Sequence, residues 1–415
     1  MSSIAERVSR RRFLEFVAAS PLWSGPLWGA GRSAAAQARA APPDPMVWAP
    51  RDLDALIADP KDALSVFDFE PVMRKTVPPA HFGYMATGAE DEATLRANRA
   101  GFGKFQLRAR RLVDVSQIDM RVEIFGTTYD SPIAIAPTGS NKAFHPEGER
   151  AVARAARAGN HLQMLSTVAS TSIEDAIAAR GAPVWFQLYT TERWEIAEAL
   201  VARAEAAGAP VIAVTVDILG PLNWETYARM RRTDTRQCSA CHHGGYLASK
   251  PNFSGIDVTG VPGTNSPNLT WERVKRLRDK VKVKLVLKGI LAAEDATLAA
   301  QAGVDGVIVS NHGGRVEAGG RSTIEALPEI LAAAGGRMPV LVDSGFRRGT
   351  DIVKALAFGA TAVAVGRPYL WGLGAFGQPG VERVLELLRA ETRAAMRQCG
   401  APSLKVLTSD LVRRA

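Results

Sequence analysis

The sequence predicts an α/β fold built as one closed (β/α)8 barrel, and three observations predict it. Eight short apolar runs rich in Val and Ile alternate with Ala-rich amphipathic stretches, the beat of βα units and a parallel sheet. Nearly every run ends in a polar or glycine cluster, as expected where eight strand ends gather around one site at one face of a barrel. The chain of 415 residues, 47% of them apolar, is long enough for a single large barrel with an ample core. No short internal repeat is visible.

At the start of the chain, Ser9-Arg10-Arg11-Arg12-Phe13-Leu14 has the twin-arginine export pattern. A weakly apolar stretch follows to about Ala30, and Ala36-Gln37-Ala38 and Ala38-Arg39-Ala40 both offer A-x-A cleavage sites. Pro21, Gly25, Pro26, Gly29 and Gly31 interrupt the apolar run well short of the roughly 20 residues a membrane span needs. Residues 1–40 therefore read as a signal and processing region, and 41–415 as the folded domain. This route carries folded proteins, so the expectation is a periplasmic protein that acquires any cofactor before leaving the cytoplasm. The formal charge of +9 does not point to nucleic acid: the arginines are scattered among acids, and no basic stripe carries interleaved aromatics.

Residues from about Pro42 to Ala109 precede the first strand and are expected to cap the barrel with helices. The strands are expected at Pro132–Pro137, Leu162–Ser166, Val184–Tyr189, Val211–Asp217, Leu285–Lys288, Gly306–Ser310, Val340–Asp343 and Ala362–Gly366. Helical patterns lie between them at Glu147–Ala158, Ile173–Ala179, Ile196–Ala207, Ala293–Ala302 and Thr350–Phe358. Gly159, Gly208, Gly303 and Gly359 stand where helix C-termini call for glycine. One connection is anomalous. The loop after the fourth strand, residues 218–268, is far longer than the usual connection and rich in Pro, Gly and aromatic residues, the mark of a lid, a docking surface or an insertion.

The strongest chemical signal is Ser310-Asn311-His312-Gly313-Gly314-Arg315. It follows a buried strand and places an imidazole and a guanidinium in one cavity with backbone close by. Histidine is the natural base near neutral pH, and the planar fork of arginine grips a carboxylate bidentately. Asp217 ends the fourth strand, within reach of the imidazole across the mouth. Lys288 ends the fifth. Asp343-Ser344-Gly345-Phe346-Arg347 and Gly366-Arg367 follow the last two strands, where such barrels bind phosphate with backbone N–H groups and a helix N-terminus.

With these motifs in order, the chain resembles the FMN-dependent 2-hydroxy-acid oxidases and dehydrogenases from about Arg51 to Leu407. The likeness is carried by Tyr84 with Gly88-Ala89-Glu90-Asp91, Ala136-Pro137-Thr138-Gly139, His145-Pro146-Glu147-Gly148, Phe186-Gln187-Leu188-Tyr189, Leu287-Lys288-Gly289, the His312 motif and Arg347-Arg348-Gly349-Thr350-Asp351. The resemblance implies His312 as the base with Asp217 as its partner. It implies Tyr84 and Arg315 on the substrate carboxylate and Tyr189 on the substrate hydroxyl. FMN would be held around Pro137, Thr138 and Gly139, by Ser166, Gln187, Thr215 and Lys288, and by Ser310 and His312. Lys288 would lie beside the flavin pyrimidine, and the phosphate on Asp343, Ser344, Gly345, Arg347, Gly366 and Arg367. A 2-hydroxy acid would leave as the 2-oxo acid. Electrons would pass to a cytochrome or quinone-linked acceptor, or to oxygen in an oxidase, and a homotetramer would be usual.

Three positions depart from the family pattern. Where relatives carry a second substrate-binding arginine, this chain has Trp224, which implies either a carboxylate held by Arg315 alone or a larger, less polar substrate; the His motif continues Val316-Glu317-Ala318 instead of Gln-Leu-Asp; and the first phosphate glycine is Ser344. Gly139, instead of Ala, resembles the dehydrogenase side of the family. Inside the long loop, Cys238-Ser239-Ala240-Cys241-His242 has the C-x-x-C-H spacing of c-type haem attachment, with Met230 as a candidate sixth ligand. A Cys238–Cys241 disulfide, or a metal site with His242 and His243, is the plainer reading of the same residues. Cys399 reads as a buried structural thiol. A different FMN or phosphate-binding barrel, and an electron-transfer protein without catalysis, are the remaining readings; the His312–Arg315 motif with Tyr84 and Tyr189 argues against the first, and the intact His312, Asp217, Lys288 and Arg315 against the second.

Overall fold

Eight parallel strands close on themselves: β1 (Ile133–Ile135), β2 (Leu162–Ser166), β3 (Trp185–Leu188), β4 (Val211–Thr215), β5 (Lys284–Ile290), β6 (Gly306–Val309), β7 (Val340–Val342) and β8 (Ala362–Val365). Closure joins β8 to β1 with Val363 opposite Ile133 and Val365 opposite Ile135. The computed structural model describes residues 56–236 and 246–415. All eight strands lie inside the runs expected from sequence or within two residues of them. Because both faces are covered, the strands need no polar alternation. One face turns into the barrel, where Ala134, Leu162, Met164, Trp185, Val211, Ala213, Val286, Ile308 and Leu341 meet in a single cluster. Trp185 is 1% exposed, so its replacement by alanine should remove about 3–5 kcal/mol of stability.

The expected helices form at Gly148–Ala158, Ile173–Arg180, Trp194–Ala206, Ala293–Gln301 and Gly349–Phe358. Gly208, Gly303 and Gly359 take the left-handed conformation at the helix ends, but Gly159 does not; there Asn160 takes it, at φ 45°. Ahead of the barrel, helices Phe69–Thr76, Pro79–Ala86 and Ala93–Ala100 form the expected cap.

An antiparallel hairpin, Val122–Ile124 with Thr127–Tyr129, was not evident from sequence. Its turn residues Phe125 and Gly126 both have positive φ, as a tight primed turn requires. Phe125 reaches the first residues of β3 and β5, 5.6 Å from the Trp185 ring and beneath Lys284. The hairpin thus plugs the N-terminal mouth, leaving the C-terminal mouth for the site.

The described parts of the long connection after β4 form a wall packed on the cap and the barrel. Helix Glu225–Arg232 packs on Pro79–Ala86, and the segment from Tyr246 onward is bonded to the barrel. Asn252 accepts from Ile173 N and donates to the carbonyls of Ser166 and Thr167. Lys250 donates to Ser140 Oγ at 2.6 Å, and Ser266 to Thr191 O. Met230 lies against Gly83, where an added Cβ would come within 2.8 Å of the Met230 Cβ. Cys238, Cys241, His242 and His243 lie outside the described residues. Among those that are described, no helix is long and apolar enough to cross a membrane, and no cluster of three potential metal ligands occurs. Cys399 is buried, as its sequence context suggested.

Candidate active site

A cavity of about 630 Å³ opens at the C-terminal mouth, running from the β7 and β8 loops to the wall after β4. Its centre is His312. The residue sits in the left-handed region at φ 56°, held by a backbone N–H bond to Ser310 Oγ and by Asn311, whose side chain accepts from Gly314 N and exchanges amide bonds with Asn98. Nδ1 lies 3.0 Å from Asp217 Oδ1. A carboxylate there accepts a hydrogen bond from Nδ1–H and so leaves the Nε2 lone pair facing the cavity, where Tyr189 Oη lies 3.4 Å away. Burial first, and then Tyr84 and Asp217, hold the Tyr189 phenol well above its ordinary value, so it stays a hydrogen-bond donor.

Asp217 reaches this position because of Gly289. Register shifts in β5 after Lys288, Gly289 takes φ 115°, and a Cβ on it would come within 2.8 Å of the Asp217 side chain. Leu287-Lys288-Gly289 had signalled the family without revealing this steric role.

Lys288 is not an ordinary strand-end lysine. It is 4% exposed, donates to Ser310 Oγ at 2.8 Å and pairs with Asp343 Oδ2 at 3.0 Å. That pairing revises the part expected of Asp343: its other oxygen accepts from Ser344 Oγ, and a carboxylate beside a phosphate would repel it. Asp343 can anchor Lys288 and accept from a hydroxyl; it cannot be a phosphate donor. Ser344 stands at φ 77°, where a glycine would be unstrained, and its hydroxyl accepts from Gly313 N.

Pro137, Thr138, Gly139, Lys288, His312, Asp343, Ser344, Gly345, Arg347, Gly366 and Arg367 all line the cavity, as do Tyr84, Tyr189 and Arg315. Ser166, Gln187, Thr215 and Ser310 lie beneath it among the buried strand ends, where Gln187 Nε2 donates to Thr215 Oγ1 at 2.9 Å. At the β7–β8 end, Arg347 is buried, donates to Phe346 O and stacks over Trp371, with no carboxylate in ion-pair contact among the described residues. Burial, Arg99 and Arg367 push it well below the usual arginine range, and burial brings Arg367 down to about 9. Arg367 donates to the carbonyls of Met85, Gly313 and Thr87, so it offers the cavity charge beside the N-terminus of helix Arg367–Gln398. Cations crowded and desolvated in this way fit a bound phosphate, which would relieve each of them.

Sequence reasoning missed several supports. Asp351 accepts from Arg347 N, Arg348 N and Arg99, shaping the turn beside the phosphate end. Trp224 stood out in the sequence as the replacement of a second arginine, with a larger, less polar substrate as one consequence, but its packing on Arg315 did not. Clustered aromatic residues in the long loop were the available signal.

Residues 73–414 match the FMN-dependent dehydrogenase family. The chain is 41% identical over 358 residues to a peroxisomal (S)-2-hydroxy-acid oxidase of Oryza sativa subsp. japonica, covering 84% of this chain and 95% of that one. It is 42% identical to an L-lactate oxidase of Lysinibacillus sphaericus over 82% of this chain and 90% of the relative. The crystal structure of a soluble mutant of the membrane-associated (S)-mandelate dehydrogenase from Pseudomonas putida superposes with a TM-score of 0.79 at 36% identity, covering 85% of this chain and 100% of that one. Built on this barrel and matched from residue 73 to 414, the chain belongs to the FMN-dependent 2-hydroxy-acid oxidase and dehydrogenase family, oxidoreductases acting on CH–OH groups.

Proposed function

We propose that the protein is a periplasmic 2-hydroxy-acid dehydrogenase that passes electrons to a separate cytochrome or quinone-linked carrier. The observation that carries the chemistry is the His312 imidazole, tied to Asp217 through Nδ1 with Nε2 facing the cavity beside Tyr189. His312 takes the proton of the substrate hydroxyl, Asp217 stabilises the imidazolium, and Tyr189 orients the hydroxyl oxygen. Arg315 and Tyr84 hold the carboxylate. FMN, when bound, supplies the two-electron acceptor. Arg347, the backbone at Ser344 and Gly345 and the helix starting at Arg367 would hold its phosphate. Lys288 would lie at its ring, with Pro137, Thr138 and Gly139 lining the same cavity and Ser166, Gln187, Thr215 and Ser310 supporting it from beneath.

The acceptor is read from Gly139 and from the export pattern at Arg10-Arg11-Arg12. A Cβ at Gly139 would come within 2.6 Å of Val168 Cγ2, so the small residue that resembles the dehydrogenase side is enforced by its neighbour. Oxidase chemistry is the second reading, favoured by the names of the relatives from Oryza sativa and Lysinibacillus sphaericus.

A panel of 2-hydroxy acids added without oxygen should bleach the yellow holoenzyme. His312→Ala should retain FMN and slow that reduction by roughly 10²–10⁴-fold; a near-normal rate would sink the assignment. Stoichiometric hydrogen peroxide in air, with no gain from an artificial electron acceptor, would favour the oxidase. A visible spectrum of the denatured protein with covalently held haem would replace the external carrier by the Cys238-to-His242 segment.

A further inference from the structure

Resting on the 2-hydroxy-acid reading above, we propose that Trp224 sets the substrate class: a 2-hydroxy acid whose second carbon bears a large apolar group, best an aromatic ring, gripped by one cation. Trp224 stands where the family resemblance puts a second arginine, and the structure shows what it does there. Its indole N–H donates to Arg315 O at 2.9 Å, and its ring lies 4.5 Å from the Arg315 guanidinium. Tyr84 covers the guanidinium too, at 4.8 Å.

These contacts leave Arg315 one usable edge. Nη1 donates to the carbonyls of Tyr84 and Thr87, while Nε and Nη2 make no hydrogen bond among the described residues. Such an edge suits a single carboxylate. The other cations lining the cavity, Lys288, Arg347 and Arg367, serve Asp343 or the opposite end.

What surrounds that edge is apolar. Tyr84, Trp224 and Tyr227 meet edge to face with ring centroids 6.1–6.3 Å apart. Leu222 and Ile218 line the same side of the cavity. Because the indole N–H is committed and helix Glu225–Arg232 starts at Trp224, the ring is fixed in place. A second arginine would raise affinity for any small 2-hydroxy acid through charge. A fixed ring discriminates by the apolar area that a large substituent buries against it.

The test is binding of two non-oxidisable acids, propionate and 2-phenylpropionate, to the FMN-loaded enzyme, followed by the shift in flavin absorbance. Burial of the phenyl group should give a ratio of dissociation constants of roughly 30 in favour of 2-phenylpropionate. Trp224→Arg should collapse that ratio to below about 3 and raise kcat/KM for lactate, while Trp224→Phe keeps most of it. A wild-type ratio near one overturns the proposal, and so does an unchanged ratio in an FMN-retaining Trp224→Arg. Failure of every 2-hydroxy acid to bleach the holoenzyme would take down the parent reading and this one together; bleaching with a ratio near one takes down this one alone.

Discussion

The two ends of the cavity are built on different principles. At the β7–β8 end, backbone geometry does the binding: Ser344 and Gly345 stand at positive φ, Asp351 pins the turn, and buried arginines supply charge. At the other end, a long connection lays side chains against the barrel, and aromatic rings with one arginine shape the space. A backbone-built site tolerates little change, because each residue is held by close approach. A side-chain wall can be re-papered without disturbing what lies beneath. The departures in this chain fall accordingly: Trp224 transforms one end, whereas Ser344 only strains the other.

The largest effect expected from that contrast is a pair of alanine substitutions. A Cβ on Gly345, at φ 85°, would come within 2.2 Å of Asn98 O, whereas one on Gly220 meets nothing within 4 Å. Gly345→Ala should cost about 4 kcal/mol or more and release FMN, and Gly220→Ala should stay within about 0.5 kcal/mol. Urea unfolding with the A450 of retained flavin checks both; equal effects would erase the distinction.

A third region, the sealed N-terminal end, should respond to pH alone. His161 is buried against Ser131 and the Ile133 carbonyl, and desolvation lowers its pKa to about 4. The unfolded chain takes up a proton below about 6.5 and the folded chain does not. Stability from this residue is therefore complete above that pH and falls as pH drops toward 4, by roughly 3 kcal/mol in all. Unfolding curves at pH 7 and pH 4.5 should show this loss, and His161→Asn should shrink it; an unchanged loss in the variant would put its origin elsewhere.

Smaller still, Arg347→Met should weaken FMN binding by about 2 kcal/mol, the worth of a charge-assisted contact, while leaving substrate KM unchanged once FMN is saturating. A shift in KM would mean that the two ends are coupled. The smallest change is Ser344→Gly, which relieves a left-handed serine but removes its bonds to Asp343 and Gly313. The two terms offset, and Tm should move by only a few degrees.

The same contrast explains what could be read from sequence. The barrel was legible because each strand is a short apolar run ending in a polar cluster, and His312, Arg315 and Lys288 stood at such ends. The N-terminal hairpin was not, since three-residue strands beside charged residues carry no clear alternation. Nor was the contact of Trp224 with Arg315: an aromatic residue in a loop says nothing about which side chain it will cover until the loop has been folded back. Asp343 shows a related failure. Its place after β7 was right, but its partner, Lys288 on β5, is two strands away in the barrel.

The attachment of the wall carries one more consequence. Asn252 bonds main-chain atoms of Ser166, Thr167 and Ile173, and Arg203 donates to the carbonyls of Pro251, Asn252 and Ser254. The loop thus reads the barrel's backbone through Asn252, and the barrel holds the loop's backbone through the side chain of Arg203. A barrel of this kind with the same strand-end geometry and an arginine at the position of Arg203 offers the same sockets, so the segment should transplant as a cassette. Substrate preference should travel with it, while the cofactor, the base and the acceptor stay with the host.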